Sequence, residues 1–269
     1  MNLLIRGYRW VSILSVDVAV GAAVSCWFFS RVLGVSLLPQ AYLVLGITVW
    51  IIYTADHLLD AQRVKTTASS DRHRFHQNNF WALAIFAIVM LLIDLALVFF
   101  VRRPVVTTGF YFSLLVGAYM LLSGRLMYLK EFAGAFLYTG GVVLPAWTLR
   151  QEALTSDQWI LISAFGMVVL LNLLLFSWMS QVQDRLDGYV SLATTISAGR
   201  MKRLMAFVLL VFSLLILLPS EMVKERVVLA GMMLTLVFVF VNHRQLQRDD
   251  FFRWLGDSIF LMPLALLLF

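Results

Sequence analysis

The fold class predicted from the sequence is an all-helical, polytopic membrane bundle, and three observations predict it. Of 269 residues, 61% are hydrophobic and only 13% charged, too few polar side chains to cover a water-soluble globule of this size. Apolar runs of about 20 residues, each able to cross ~30 Å of hydrocarbon as a helix, recur along nearly the whole chain. Lysine and arginine fall in the short segments between those runs. A net charge of +6 and a pI of 9.7 therefore speak for membrane orientation rather than for nucleic acid, which would need one concentrated basic surface. No low-complexity stretch or long linker divides the chain, so residues 1–269 are expected to form a single transmembrane domain.

Nine spans follow from the hydropathy pattern: 10–31, 39–60, 80–101, 105–124, 132–149, 158–183, 204–219, 226–241 and 255–269. The first follows Arg6 and Arg9 and runs through Ala22, Ala23, Ser25, Trp27, Phe28 and Phe29. It lacks the cleavage pattern of a signal peptide, so a retained helix is expected. Pro39, Pro104 and Pro219 punctuate span ends. Pro145, one turn after Gly140 and Gly141, falls inside the fifth span and is expected to kink it. Cys26 is the only cysteine and lies in an apolar run, which excludes an internal disulfide and leaves packing as its role. With the N-terminus in the cytoplasm, the larger share of the 21 Lys and Arg lies inside. Only Arg31, Arg102, Arg103, Arg150, Lys224 and Arg226 face outward, a bias that fits a bacterial inner membrane.

Two acidic clusters carry the chemistry. The second span ends with Asp56 and Asp60 at i and i+4, and the sixth ends with Asp184 and Asp187 at i and i+3, so each pair shares one helical face. Three spans lie between the two, so both run in the same direction and finish on one side of the membrane. Like charges one turn apart repel at a bilayer edge, so two such pairs call for a strong cation. Mg²⁺ suits these hard oxygen ligands and commonly adds substrate phosphates to one or two carboxylates. Arg63, Arg72, Lys130 and Arg185 flank the clusters and supply charge for a diphosphate, although positive-inside statistics explain such residues equally well.

The segment Asp184-Arg185-Leu186-Asp187-Gly188, followed by Ser191 and Thr194-Thr195, resembles the second Asp-rich motif of the UbiA superfamily of intramembrane prenyltransferases. The nearest likeness there is to 4-hydroxybenzoate polyprenyltransferases, and Tyr128-Leu129-Lys130 is similar to their entry to helix 5. The first motif departs from the family pattern Asn-Asp-x-x-Asp-x-x-x-Asp: Ile52 and Tyr53 replace its first two members, while Asp56 and Asp60 keep the last two. The segment Asp71-Arg72-His73-Arg74-Phe75-His76 diverges as well, and reads as a phosphate-binding or lid loop.

What the resemblance implies is a nine-helix bundle in which Asp56, Asp60, Asp184 and Asp187 hold Mg²⁺. A prenyl diphosphate ionises there, and a lipophilic or aromatic quinone-precursor acceptor attacks the allylic carbon. Two other readings stay open: a small secondary transporter with Asp17 and Asp94 in an ion pathway, and a member of the superfamily that binds isoprenoids without catalysis. Asp17 fits an acceptor pocket or a buried structural hydrogen bond. Asn172 fits a substrate contact or a helix-helix hydrogen bond. His73 and His76 at i, i+3 would suit a transition metal only with a third ligand, and Asp257 is placed to cap the last helix. No P-loop, nucleophile elbow or His-Glu-x-x-His motif is present.

Overall fold

A computed structural model describes residues 3–63, 70–123, 129–247 and 251–268, with the side chains of residues 3–7 and 63 outside the described set. Among the described residues the chain is helical throughout, without a strand. Thirteen helices follow in order: α1 (Leu3–Ile13), α2 (Val16–Val32), α3 (Pro39–Arg63), α4 (Asp71–Asn78), α5 (Phe80–Val98), α6 (Arg103–Leu122), α7 (Lys130–Leu149), α8 (Ser156–Asp187), α9 (Leu192–Thr195), α10 (Ala198–Leu217), α11 (Val223–Val241), α12 (His243–Leu246) and α13 (Phe251–Ser258). A terminal 3₁₀ segment, Ile259–Leu268, closes the chain.

Six of these stretches are long and apolar enough to cross a membrane: Pro39–Gln62, Phe80–Val98, Arg103–Leu122, Lys130–Leu149, Ser156–Asp187 and Phe251–Leu268. The other three expected spans fall short of that measure for identifiable reasons. The helices α10 and α11 each carry three charged residues near their starts (Arg200, Lys202 and Arg203; Lys224, Glu225 and Arg226). The expected span 10–31 is not continuous: it breaks at Ser15, whose φ of 55° is left-handed, leaving α2 with 17 residues. A break exposes carbonyls that lipid cannot satisfy. Here distant side chains do so, with Trp50 Nε1 donating to Leu14 O at 2.8 Å and Arg72 Nη2 donating to Ser12 O at 2.9 Å.

The helices α2, α7, α8 and α11 and the terminal segment pack in sequence around a closed ring, with α3 and α5 outside α2, α6 outside α7, and α10 outside α8. Phe28, Phe29 and Phe165 are fully buried at its centre, each meeting the next edge-to-face at 5.1 Å, and Cys26 packs among them. Such aromatic pairs add about 0.5–1.5 kcal/mol each beyond area burial. By contrast α6 buries no residue, because its surroundings are hydrocarbon, as apolar as its own side chains. The heavily buried α8 starts with a capping box between Thr155 and Gln158, and Gln158 Nε2 also ties it to Val32 O at 2.9 Å. It ends at Gly188, whose φ of 76° provides the left-handed C-cap that an L side chain strains to adopt.

Close approach between α2 and the terminal segment depends on Gly21, where a Cβ would stand 2.7 Å from Phe260 Cβ. Phe260 Cβ is anchored to backbone and has no freedom to swing aside. Gly21→Ala is therefore expected to destabilise the bundle by about 1–3 kcal/mol, read as a lower melting temperature in detergent.

Candidate functional site

The C-terminal ends of α3 and α8 meet at one end of the bundle. Local geometry explains how: the Gly188 turn, closed by Tyr189 N donating to Asp184 O at 2.7 Å, aims the Tyr189 hydroxyl onto Asp60 O at 2.5 Å. The side chain of Asp187 is buried, with Oδ2 3.7 Å from His73 Nδ1 of α4. Lys130, the first residue of α7, lies in the field of Asp56 and Asp60 from α3 and also acts on Asp184 from α8. One lysine thus acts on both α3 aspartates and on Asp184, and Arg253 of α13 is a second cation acting on Asp184.

Glu131, next to Lys130, is buried. Its Oε1 accepts the Leu192 N–H at 3.0 Å, while Oε2 has no hydrogen-bond partner among the described residues. It is a fifth carboxylate at this end, and its place among the acidic residues comes from folding α7 against α8 and α9, which no local spacing signals. His57 also gathers here. Its ring lies 5.0 Å from that of His76 and 6.2 Å from that of His73.

Residues 71–78, expected as a loop, are helical in α4. Ser70 caps the helix through the His73 N–H, and Gln77 Nε2 ties it to Ala61 O. Burial first, then the charges of Arg253 and Arg72, push the His73 imidazole down to about 4 against the opposing pull of Asp187. Burial likewise lowers His76, whose Nδ1 lies 2.8 Å from Arg72 O. Both rings are therefore neutral near pH 7, so α4 presents uncharged imidazoles to the acidic end rather than a further pair of cations. Although α4 brings three histidines together, no group of three or more His, Cys, Asp or Glu among the described residues is arranged to hold a metal ion unaided.

Several expected positions change. Arg72, expected on a diphosphate, reaches instead across to α1, with Nη2 donating to Ser12 O and Ser12 Oγ, and its Nη1 lies 3.5 Å from His57 Nε2. Arg185 is exposed, with no side-chain hydrogen bond or ion pair among the described residues, so it stands at the rim beside Asp184. The side chain of Arg63, all of Tyr128, and Asp249 and Asp250 lie outside the described residues.

Deeper in the bundle a second polar group forms. Asp17 is buried at the start of α2; its Oδ1 accepts the Val18 N–H at 2.9 Å, and Oδ2 has no partner among the described residues. Asp257 does not cap a helix. It is buried near the end of α13 and interacts with Asn172 of α8, Asp17, Arg72 and Arg253. Asn172 is buried as well, with its Oδ1 close to Gly256 and without a hydrogen-bond partner among the described residues. Asp94 lies apart from this group, accepting from Thr48 Oγ1 at 2.6 Å.

Comparison of the chain with family models, curated proteins and solved structures finds no match.

Proposed function

We propose that this protein is a divergent member of the UbiA superfamily, a nine-helix enzyme that transfers a prenyl group from a polyprenyl diphosphate to a lipophilic, aromatic or quinone-precursor acceptor within the membrane. One observation carries the reading: Lys130 interacts with Asp56 and Asp60 of α3 and with Asp184 of α8, at the end of the bundle where the Tyr189 hydroxyl of the α8 turn meets Asp60 O. The motif resemblance around Asp184 and Asp187 supports it, and the orientation proposed places this end in the cytoplasm.

The donor set fits Mg²⁺. Asp56, Asp60, Asp184 and Asp187 offer hard oxygens, and the buried Glu131 Oε2 has no other partner among the described residues. Mg²⁺ commonly completes its shell with phosphate oxygens and water around one or two carboxylates. When bound, Mg²⁺ would neutralise charge developing on the departing diphosphate. Lys130 is placed to bind a diphosphate oxygen beside the α3 aspartates, and Arg253 to do so beside Asp184. Tyr189 holds the ends of α3 and α8 in register. Apolar side chains lining the bundle exclude water, which would otherwise capture the allylic cation.

Incubation of the purified protein with Mg²⁺, a panel of prenyl diphosphates and lipid-extract acceptors, followed by mass spectrometry, is expected to yield a prenylated product that EDTA abolishes. Absence of product across the panel, with donor binding retained, would point to an isoprenoid-binding protein without catalysis. A second reading, transport, draws on the buried Asp17 and Asp257 inside the bundle. Mg²⁺-independent ion flux in liposomes would favour it.

A further inference from the structure

A cavity of about 280 Å³ opens between α1, α4, α8 and α13, and none of the four aspartates lines it. Among the described residues its walls carry three guanidinium groups, Arg9, Arg72 and Arg253, against one carboxylate, Asp71, with the neutral amides of Gln183 and Gln247 beside them, while the buried Asp17 and Asp257 also act on Arg72. This volume is several times the ~30 Å³ share of a single water, so the space suits a polar group of several heavy atoms. Arginine in such numbers favours phosphate, whose oxygens accept two parallel hydrogen bonds from each planar fork.

The position of the cavity specifies the source of the phosphate. The short helix α1 precedes the break at Ser15 and lies against α4 and α13 rather than within the ring: Arg9 pairs with Asp71, Trp10 meets Phe75 edge-to-face, and the Tyr8 hydroxyl donates to Trp254 O at 3.1 Å. Tyr8, Trp10 and Trp254 gather at this level, and Trp10 keeps about half its surface exposed. Tyrosine and tryptophan beside arginine, on a short helix at the end of an apolar bundle, mark the headgroup layer of a bilayer. Basic pockets at that depth bind acidic lipid headgroups.

We infer that the Arg9–Arg72–Arg253 cavity binds the phosphate headgroup of an acidic phospholipid, seating α1 on the bilayer. The site shares Arg253 with the proposed diphosphate contact but uses none of the four aspartates, and its test reads lipid binding alone through Arg9 and Asp71.

Melting of the detergent-solubilised full chain, titrated with short-chain phosphatidylglycerol, phosphatidylcholine or free glycerol phosphate, tests this. Stabilisation is expected with phosphatidylglycerol at concentrations where phosphatidylcholine gives none. Arg9→Gln should weaken the effect about tenfold, and Arg9→Lys should restore part of it. Asp71→Asn should shift it the other way, tightening binding severalfold by removing the one carboxylate among the described wall residues. Both residues are exposed, so their replacement leaves the fold intact. An equal response to the two lipids, or a phosphatidylglycerol response unmoved by both Arg9→Gln and Asp71→Asn, overturns the inference. Equal stabilisation by free glycerol phosphate would assign the cavity to a soluble phosphate ester and overturn the lipid source.

Discussion

Asp60→Asn and Asp184→Asn are each expected to lower prenyl transfer by about 10³-fold, a loss of roughly 4 kcal/mol of transition-state stabilisation. Asparagine keeps the size and one oxygen of the side chain but removes the charge that a divalent ion and a departing diphosphate require. The two residues come from α3 and α8, at opposite ends of a 124-residue stretch of sequence, and meet through the field of Lys130. If they serve one centre, the double variant should fall little below either single variant, because groups that act as a unit lose their function together. Independent roles would instead multiply the losses. Single-turnover kinetics on both single variants and the double variant distinguish these outcomes. Turnover within tenfold of the unaltered protein in either single variant would remove the metal assignment.

Arg72→Met is expected to cost about 3–5 kcal/mol of stability, the range found when one partner of a buried ionic group is removed and the others are left uncompensated. Arg72 does two things at once. It satisfies the Ser12 carbonyl at the end of α1, and its charge acts on Asp17 and Asp257, both buried. Adding Asp257→Asn to Arg72→Met should recover part of the loss, since one uncompensated carboxylate disappears. A coupling of about 1–3 kcal/mol between the two substitutions is expected. Melting curves of the four proteins in the same detergent provide the measurement. Additive losses would show that Arg72 acts on α1 alone, and an unchanged melting temperature would show that neither role contributes.

Much of this architecture was legible along the chain. Six of the nine expected spans coincide within a few residues with helices long and apolar enough to cross a membrane, because the thickness of hydrocarbon imposes a local length that a hydropathy window reads directly. The two aspartate pairs were equally local, each being a matter of one helical turn. Pro39 and Pro104 stand at helix starts and Pro219 just beyond a helix end, where the missing N–H and the fixed φ are tolerated. Gly188 appeared along the chain only as the last residue of the second motif, whereas its left-handed φ shapes the turn that sends Tyr189 to α3.

The break at Ser15 was not legible, because residues 10–31 are apolar enough to continue as one helix. It is sustained by Trp50 and Arg72, which lie 36 and 60 residues away from the carbonyls they satisfy. Asp257 read as a cap because a lone acid in a short helix usually is one, and only the packing of α13 on α8 gives it Asn172 as a partner. Glu131 and His57 carried no spacing signal at all.

By itself the sequence determined, to within a few residues, six stretches long and apolar enough to cross a membrane, and that carboxylates occur in pairs at two of their ends. Tertiary structure alone decided which cation each carboxylate meets, that Arg72 turns toward α1, and that three arginines share one cavity. The reason is one of range. Hydrocarbon acts on each segment of about 20 residues independently, so its demand is written locally. Charges buried between helices are compensated only by whatever stands a few ångströms away, and chain topology, not neighbouring sequence, brings those partners together.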